Sequence, residues 1–215
     1  MNKKEREYKI IKIIYNEKEY KYNEENGDNQ EKPDFVLQRG SEEKFGVELT
    51  ELYYDRTSAR LKNKKNYLED IRIGKIDKND IKPLKIMPTY IDIGNENKTD
   101  YQFLYNSYTI PEYTEDDFKK ALIKRIEEKH EKSKEYRKDL KYIELIILNR
   151  ESFFNNYTEE DALKYFNTNV WISDLIKKTI FKRICFITIV NSKLKVIGID
   201  NSQYEINIKS ELDKK

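Results

Sequence analysis

Apolar side chains recur at helical spacing near the start of the chain, with Tyr8, Ile11 and Tyr15 in one series and Ile10 and Ile14 in another. That spacing predicts a first helix over residues 3–15. A polar run over 23–32 ends at Pro33, and the period then changes. Asp34-Phe35-Val36-Leu37-Gln38 reads as a strand, 39–42 as a turn, and 44–50 as the returning strand. Residues 57–71 are expected to be helical, with Leu61 and Leu68 on one side. The stretch at about 81–111 is punctuated by Pro83, Pro88, Gly94 and Pro111 and reads as an insertion, with short strands near 85–86 and 90–93. Thr114 followed by three acids is a good helix start. The helix is expected to reach about residue 138, with Phe118, Leu122, Ile126, Lys129, Ser133 and Tyr136 on one face.

Residues 142–148 read as a central strand, apolar on both faces. Helices near 158–165 and 170–178 and strands over 184–190 and 194–199 complete the pattern, and a charged tail follows from Glu211. This order predicts an α/β fold, a mixed β-sheet flanked by helices, in a single domain over 1–215 interrupted by the insertion.

Composition narrows the function. Charged residues make up 38% of 215, a level compatible with disorder, but 17 Tyr and 9 Phe supply the aromatic content that disordered chains lack. The 42 basic and 40 acidic side chains leave a net charge of +2, so any attraction for nucleic acid must be local. Such a local excess is visible over 56–75, with Arg56, Arg60, Lys62, Lys64, Lys65, Arg72 and Lys75 against Glu69 and Asp70. A single cysteine, Cys185, excludes an internal disulfide framework and a Cys-rich zinc site. The lone His130 excludes a multi-His metal centre and is expected to be exposed on its charged helix. With no apolar run long enough to span a bilayer and no apolar signal core, the expected location is cytoplasmic.

The hairpin carries the candidate chemistry. Alternation places Phe45, Val47 and Leu49 on one face of the second strand and Gly46, Glu48 and Thr50 on the other. A turn centred on Ser41 makes residues whose numbers add to 82 face each other, which sets Asp34 opposite Glu48. Like charges opposed on a sheet are destabilising unless a cation lies between them. A hard divalent ion such as Mg²⁺ or Mn²⁺ suits two carboxylates, with the Leu49 carbonyl as a further ligand. A solvated hairpin with two exposed acids is the competing reading.

Pro33-Asp34 followed by Gly46-Val47-Glu48-Leu49-Thr50 resembles the metal-binding core of the PD-(D/E)xK nuclease superfamily, in particular small bacterial nuclease-like proteins with an ExT variant. The resemblance covers about two thirds of the chain, from Glu7 to Leu148 with the insertion between. It implies a restriction-endonuclease-like core and Mg²⁺-dependent phosphodiester hydrolysis, DNA being favoured over RNA. It also implies Asp34 and Glu48 as metal ligands, Glu7 as a further acid from the first helix, and Thr50 in the slot of the usual lysine. Threonine brings no positive charge, so the missing cation is sought in Arg56, Arg60, Lys120 or Lys124, which also serve as candidate nucleic-acid contacts. Without one, the fold is a degenerate nuclease used for nucleic-acid binding or as a protein-interaction module. Assembly as a homodimer or in a larger complex is compatible with either.

Overall fold

The computed structural model describes residues 3–15, 19–23, 33–41, 43–94, 98–136, 139–191, 193–201 and 205–210. The expected loop over 23–32, apart from Asn23, and the charged tail from Glu211 lie outside them. In chain order the elements are α1 (Lys3–Ile14), β1 (Tyr20–Asn23), β2 (Phe35–Arg39), β3 (Phe45–Leu52), α2 (Arg56–Asn63), α3 (Tyr67–Arg72), β4 (Met87–Asp92), β5 (Tyr101–Ser107), α4 (Glu115–Ser133), β6 (Ile143–Asn149), α5 (Glu159–Thr168), α6 (Val170–Lys177), β7 (Phe181–Val190), β8 (Lys193–Asp200) and β9 (Glu205–Ser210). They divide into two compact units. One comprises Met1–Leu52 and Lys119–Lys215, and the other Tyr53–Phe118. The second unit takes in the expected insertion together with the two helices before it.

The first unit is a mixed α/β structure on a seven-stranded sheet in the order β1-β2-β3-β6-β7-β8-β9. The three central strands run parallel, β3 beside β6 and β6 beside β7, and antiparallel pairs extend the sheet on either side. Central parallel strands are covered on both faces, which is why β3 and β6 are buried along nearly their whole length. On one face Ile10 and Ile11 of α1, with Tyr15 just past its end, pack on Val47, Leu49, Ile146, Leu148 and Ile187. The other face carries Glu48 and receives α4 and α5, with the Phe166 ring of α5 tilted against Phe186 of β7 at 5.1 Å between centroids. β6 is not wholly apolar. Glu144 is buried on the α1 face, where it accepts a hydrogen bond from the Tyr15 hydroxyl at 2.5 Å.

In the second unit, the single helix expected over 57–71 is broken in two. Extended Lys64 ends α2, and Asn66, in a left-handed conformation (φ 59°), re-aims the chain into α3. The short strand expected at 85–86 does not form, because Lys85 also has positive φ (46°). Tyr67, Ile71 and Leu84 make the core of this unit. Beside them the buried Asp80 accepts hydrogen bonds from Thr57 Oγ1 (2.6 Å), Arg60 Nε (2.5 Å) and the Tyr67 hydroxyl. β4 and β5 form a separate two-stranded ribbon. Thr114 and Asp117 cap α4 reciprocally, as the sequence predicts. No helix among the described residues is long and apolar enough to cross a membrane.

Candidate functional site

The β2–β3 hairpin has the expected register, with Phe35 opposite Val47, Val36 opposite Gly46 and Leu37 opposite Phe45. Asp34 lies one residue before the first of these pairs, immediately ahead of β2. Gly46 is needed for the approach of the flanking chain, since a Cβ there would lie 3.0 Å from both Leu140 Cδ1 and Pro33 Cγ. Pro33 is thereby seated against β3, and it delivers Asp34 to the strand. The Asp34 carboxylate accepts the backbone N–H of Leu49 through Oδ2 at 2.8 Å. Leu49 therefore meets the site through its N–H, while its side chain belongs to the α1-face core.

The two acids differ sharply in environment. Asp34 is exposed, whereas Glu48 is 0% exposed. An ionised carboxylate without water must be paired and hydrogen-bonded. α4 and the turn after it do this. Lys129 Nζ donates to Glu48 Oε1, and the Tyr136 hydroxyl donates to Glu48 Oε2. Burial raises the Tyr136 pKa, and its bond to Glu48 and the charges of Glu48 and Asp34 raise it further, so this hydroxyl keeps its proton and acts as a donor. Ser133, one turn from Lys129, has a buried hydroxyl close enough to Tyr136 to work against that rise. By distance and angle it makes no hydrogen bond among the described residues. Thr50 is buried two residues along β3, on the same side of the strand as Glu48.

The remaining candidates fall elsewhere. Glu7 is half-buried on α1, the helix packed on the Val47 and Leu49 face, while strand alternation sends Glu48 to the opposite face. Among the described residues no group of three or more His, Cys, Asp or Glu side chains is gathered as a metal set, so Glu7 does not join Asp34 and Glu48 in one. Lys120 and Lys124 lie on the exposed face of α4, about 180° and 140° around the helix from Lys129 at 100° per residue. Neither supplies the charge at Glu48. Arg60 is committed to Asp80 and Asp77 within its own unit, and Arg56 stands exposed in the first turn of α2. Three of the seven basic residues over 56–75 are thus held in ion pairs within the unit. Lys64 pairs with Asp70, Arg72 with Glu69, and the acids that hold Arg60 lie just beyond the window at 77 and 80.

Sequence reasoning missed Lys129 and Tyr136, although both stand on the face it assigned to the long helix. A lysine within an apolar stripe at helical spacing was the available signal. Glu51 points away from Glu48, and its Oε1 is shared by Arg6 at 3.0 Å and Arg150 at 3.3 Å. His130 is not exposed. Its Nδ1 accepts the backbone N–H of Ile180 at 3.1 Å.

Compared with protein families, with curated proteins and with solved structures, the chain matches none.

Proposed function

We propose that this protein is a metal-dependent nuclease with a restriction-endonuclease-like core, acting on phosphodiester bonds, with DNA favoured over RNA as the substrate. The observation that carries the reading is that Asp34 is tied to β3 at Leu49, next to Glu48, which pairs with Lys129, on a sheet with two parallel central pairings. The donor set fits a hard divalent cation: one carboxylate on β3 and one just ahead of β2, all-oxygen, and a count sufficient for Mg²⁺ with water and phosphate completing its shell. Asp34 and Glu48 would hold it. Bound there, the metal would lower the pKa of a water and offset charge on the phosphate.

The protein's own groups supply the rest of the proposal. Lys129 provides the positive charge that Thr50 lacks, reaching the same carboxylate from a helix instead of from the strand. Exposed Asp34 is the side from which a phosphate chain approaches, and Tyr136 fixes the orientation of Glu48. A second reading has its own support. Both Glu48 oxygens already have donors, so Lys129 and Tyr136 satisfy the carboxylate without metal, as in a degenerate nuclease fold kept for binding.

Plasmid and single-stranded substrates incubated with Mg²⁺ or Mn²⁺ separate the two. Metal-dependent cutting that Asp34→Asn, Glu48→Gln and Lys129→Met each abolish supports the nuclease. Cutting that persists in all three variants removes this site from the reaction. Salt-sensitive nucleic-acid binding without cleavage under either metal supports the degenerate reading.

A further inference from the structure

Glu48 is fully buried and both of its oxygens have donors, Lys129 Nζ on Oε1 and the Tyr136 hydroxyl on Oε2. A cation that is to meet this carboxylate must take the place of one of them, and the two are not equivalent. Lys129 is charged and sits inside α4, and parting an ammonium from a buried carboxylate is costly. Tyr136 is neutral and lies three residues past the end of α4. Its side chain has little access to water, so a hydroxyl that leaves Glu48 needs another acceptor within the protein. Ser133 offers one. It is 2% exposed, and its Oγ makes no hydrogen bond among the described residues. A buried hydroxyl without a partner is an exception among buried polar groups. This one lies beside Tyr136, whose backbone N–H donates to the Ser133 carbonyl at 3.3 Å. It also shares the Glu48-facing side of α4 with Lys129, four residues earlier. Asp34 is near enough for its charge to act on the same Tyr136 hydroxyl.

Granted the metal reading of Asp34 and Glu48, on which this rests, we propose that Ser133 is the second resting place of the Tyr136 hydroxyl. The hydroxyl closes over Glu48 Oε2 in the metal-free protein and turns to Ser133 Oγ when Glu48 ligates a divalent cation. Tyr136 and Ser133 are then positioning residues, a neutral gate on the metal-binding carboxylate, while Lys129 keeps its place on Oε1. Opening exchanges one hydrogen bond for another, so no donor is left unpaired in either state. The bond to an ionised carboxylate is the stronger of the two, and the closed form therefore prevails until a cation is bound. Without Ser133 the open form would bury an unpaired hydroxyl, which opposes metal binding.

Mn²⁺ alone is the probe, titrated into the full chain with the free ion read by its paramagnetic resonance signal, so no cleavage is needed. Ser133→Ala should fold, since alanine suits a helix and the acceptor it removes is unused without metal. Its urea midpoint in metal-free buffer is expected to be no lower than that of the native protein. Its Mn²⁺ dissociation constant is expected to rise about fivefold, the worth of one neutral hydrogen bond. Tyr136→Phe removes the competing donor and is expected to bind Mn²⁺ about threefold more tightly or better. The double variant should match Tyr136→Phe, because Ser133 acts only through the hydroxyl. Native Mn²⁺ affinity in Ser133→Ala overturns the proposal, and that result is decisive even if Tyr136→Phe does not fold. Weaker binding in Tyr136→Phe overturns it as well, since the hydroxyl would then belong to the loaded site. If Asp34→Asn abolishes Mn²⁺ binding in the same series, the metal site stands and the gate alone is refuted. A native protein that binds no Mn²⁺ refutes both.

Discussion

Lys129 and Glu48 lie 81 residues apart in sequence and meet in an ion pair in which the carboxylate has no contact with water. Removing one partner of such a pair leaves a buried charge, which costs about 3 kcal/mol or more. Lys129→Met is therefore expected to lower the unfolding free energy by about that amount. Glu48→Gln combined with Lys129→Met should restore much of it, since a neutral amide tolerates burial better. Urea unfolding of the two single variants and the double variant checks this. Additive effects would mean that the two side chains are not coupled.

Much of this site could be read from the sequence, and the part that could not has a physical reason. The turn at Ser41 and strand alternation are local, so they set the β2–β3 register and the side of Glu48 and Thr50 correctly. The helical stripe placed Lys129, Ser133 and Tyr136 on one face. Periodicity says which residues share a face, but not which strand that face meets across a gap of 81 residues. For that reason exposed Lys120 and Lys124 looked as eligible as Lys129. The fold shows the same division. The central strands announce themselves by apolar runs, whereas edge strands β1 and β9 and the partner strand β5 were passed over. YKYN and EINIKS alternate over only four and six residues, too few to stand out from polar surroundings, and YQFLYNS runs its apolar and polar residues together over five exposed positions.

Asp80 should govern part of the acid stability. Burial alone would raise its pKa, but donation from Arg60, Thr57 and Tyr67 overcomes that and lowers it to about 2. A carboxyl held below its unfolded value stabilises the fold fully above about pH 4, and that contribution fades as pH falls through the folded pKa. The shift corresponds to about 2 kcal/mol. Asp80→Asn is expected to lower stability at pH 7 by at least this amount and to weaken the decline between about pH 4 and 2. Equilibrium unfolding at several pH values compares the two slopes. Parallel curves for the two proteins would remove Asp80 from the acid response.

His130 predicts an effect nearer neutrality. Burial lowers its pKa and Lys134 adds to this, with Glu131 opposing, while Nδ1 accepts the Ile180 N–H and so must be unprotonated. The folded protein thus favours neutral histidine. Its contribution is complete above the unfolded value of about 6.5 and is lost as pH falls toward the lower folded value. As the chain has one histidine, a single imidazole resonance reports the titration without assignment. The midpoint is expected below 6.5 in the native protein. His130→Gln should flatten stability between about pH 7 and 5. A midpoint at or above that of a free imidazole would contradict the hydrogen bond to Ile180.

Asp34 allows charge to be separated from hydrogen bonding. Its Oδ2 accepts the Leu49 N–H at 2.8 Å, and an asparagine amide oxygen can accept the same bond. Asp34→Asn should therefore fold with stability within about 1 kcal/mol of the native protein, and relief of repulsion with Glu48 acts in its favour. Asp34→Ala loses the acceptor as well, so it should be less stable than the asparagine variant by about 1 kcal/mol. Metal separates the two roles further. A cation that binds only the folded state raises stability by mass action, so Mn²⁺ is expected to raise the unfolding temperature of the native protein and of neither variant. Native protein unaffected by Mn²⁺ would favour the reading in which Lys129 already satisfies the site. An equal Mn²⁺ response in Asp34→Asn would place the ion away from this hairpin.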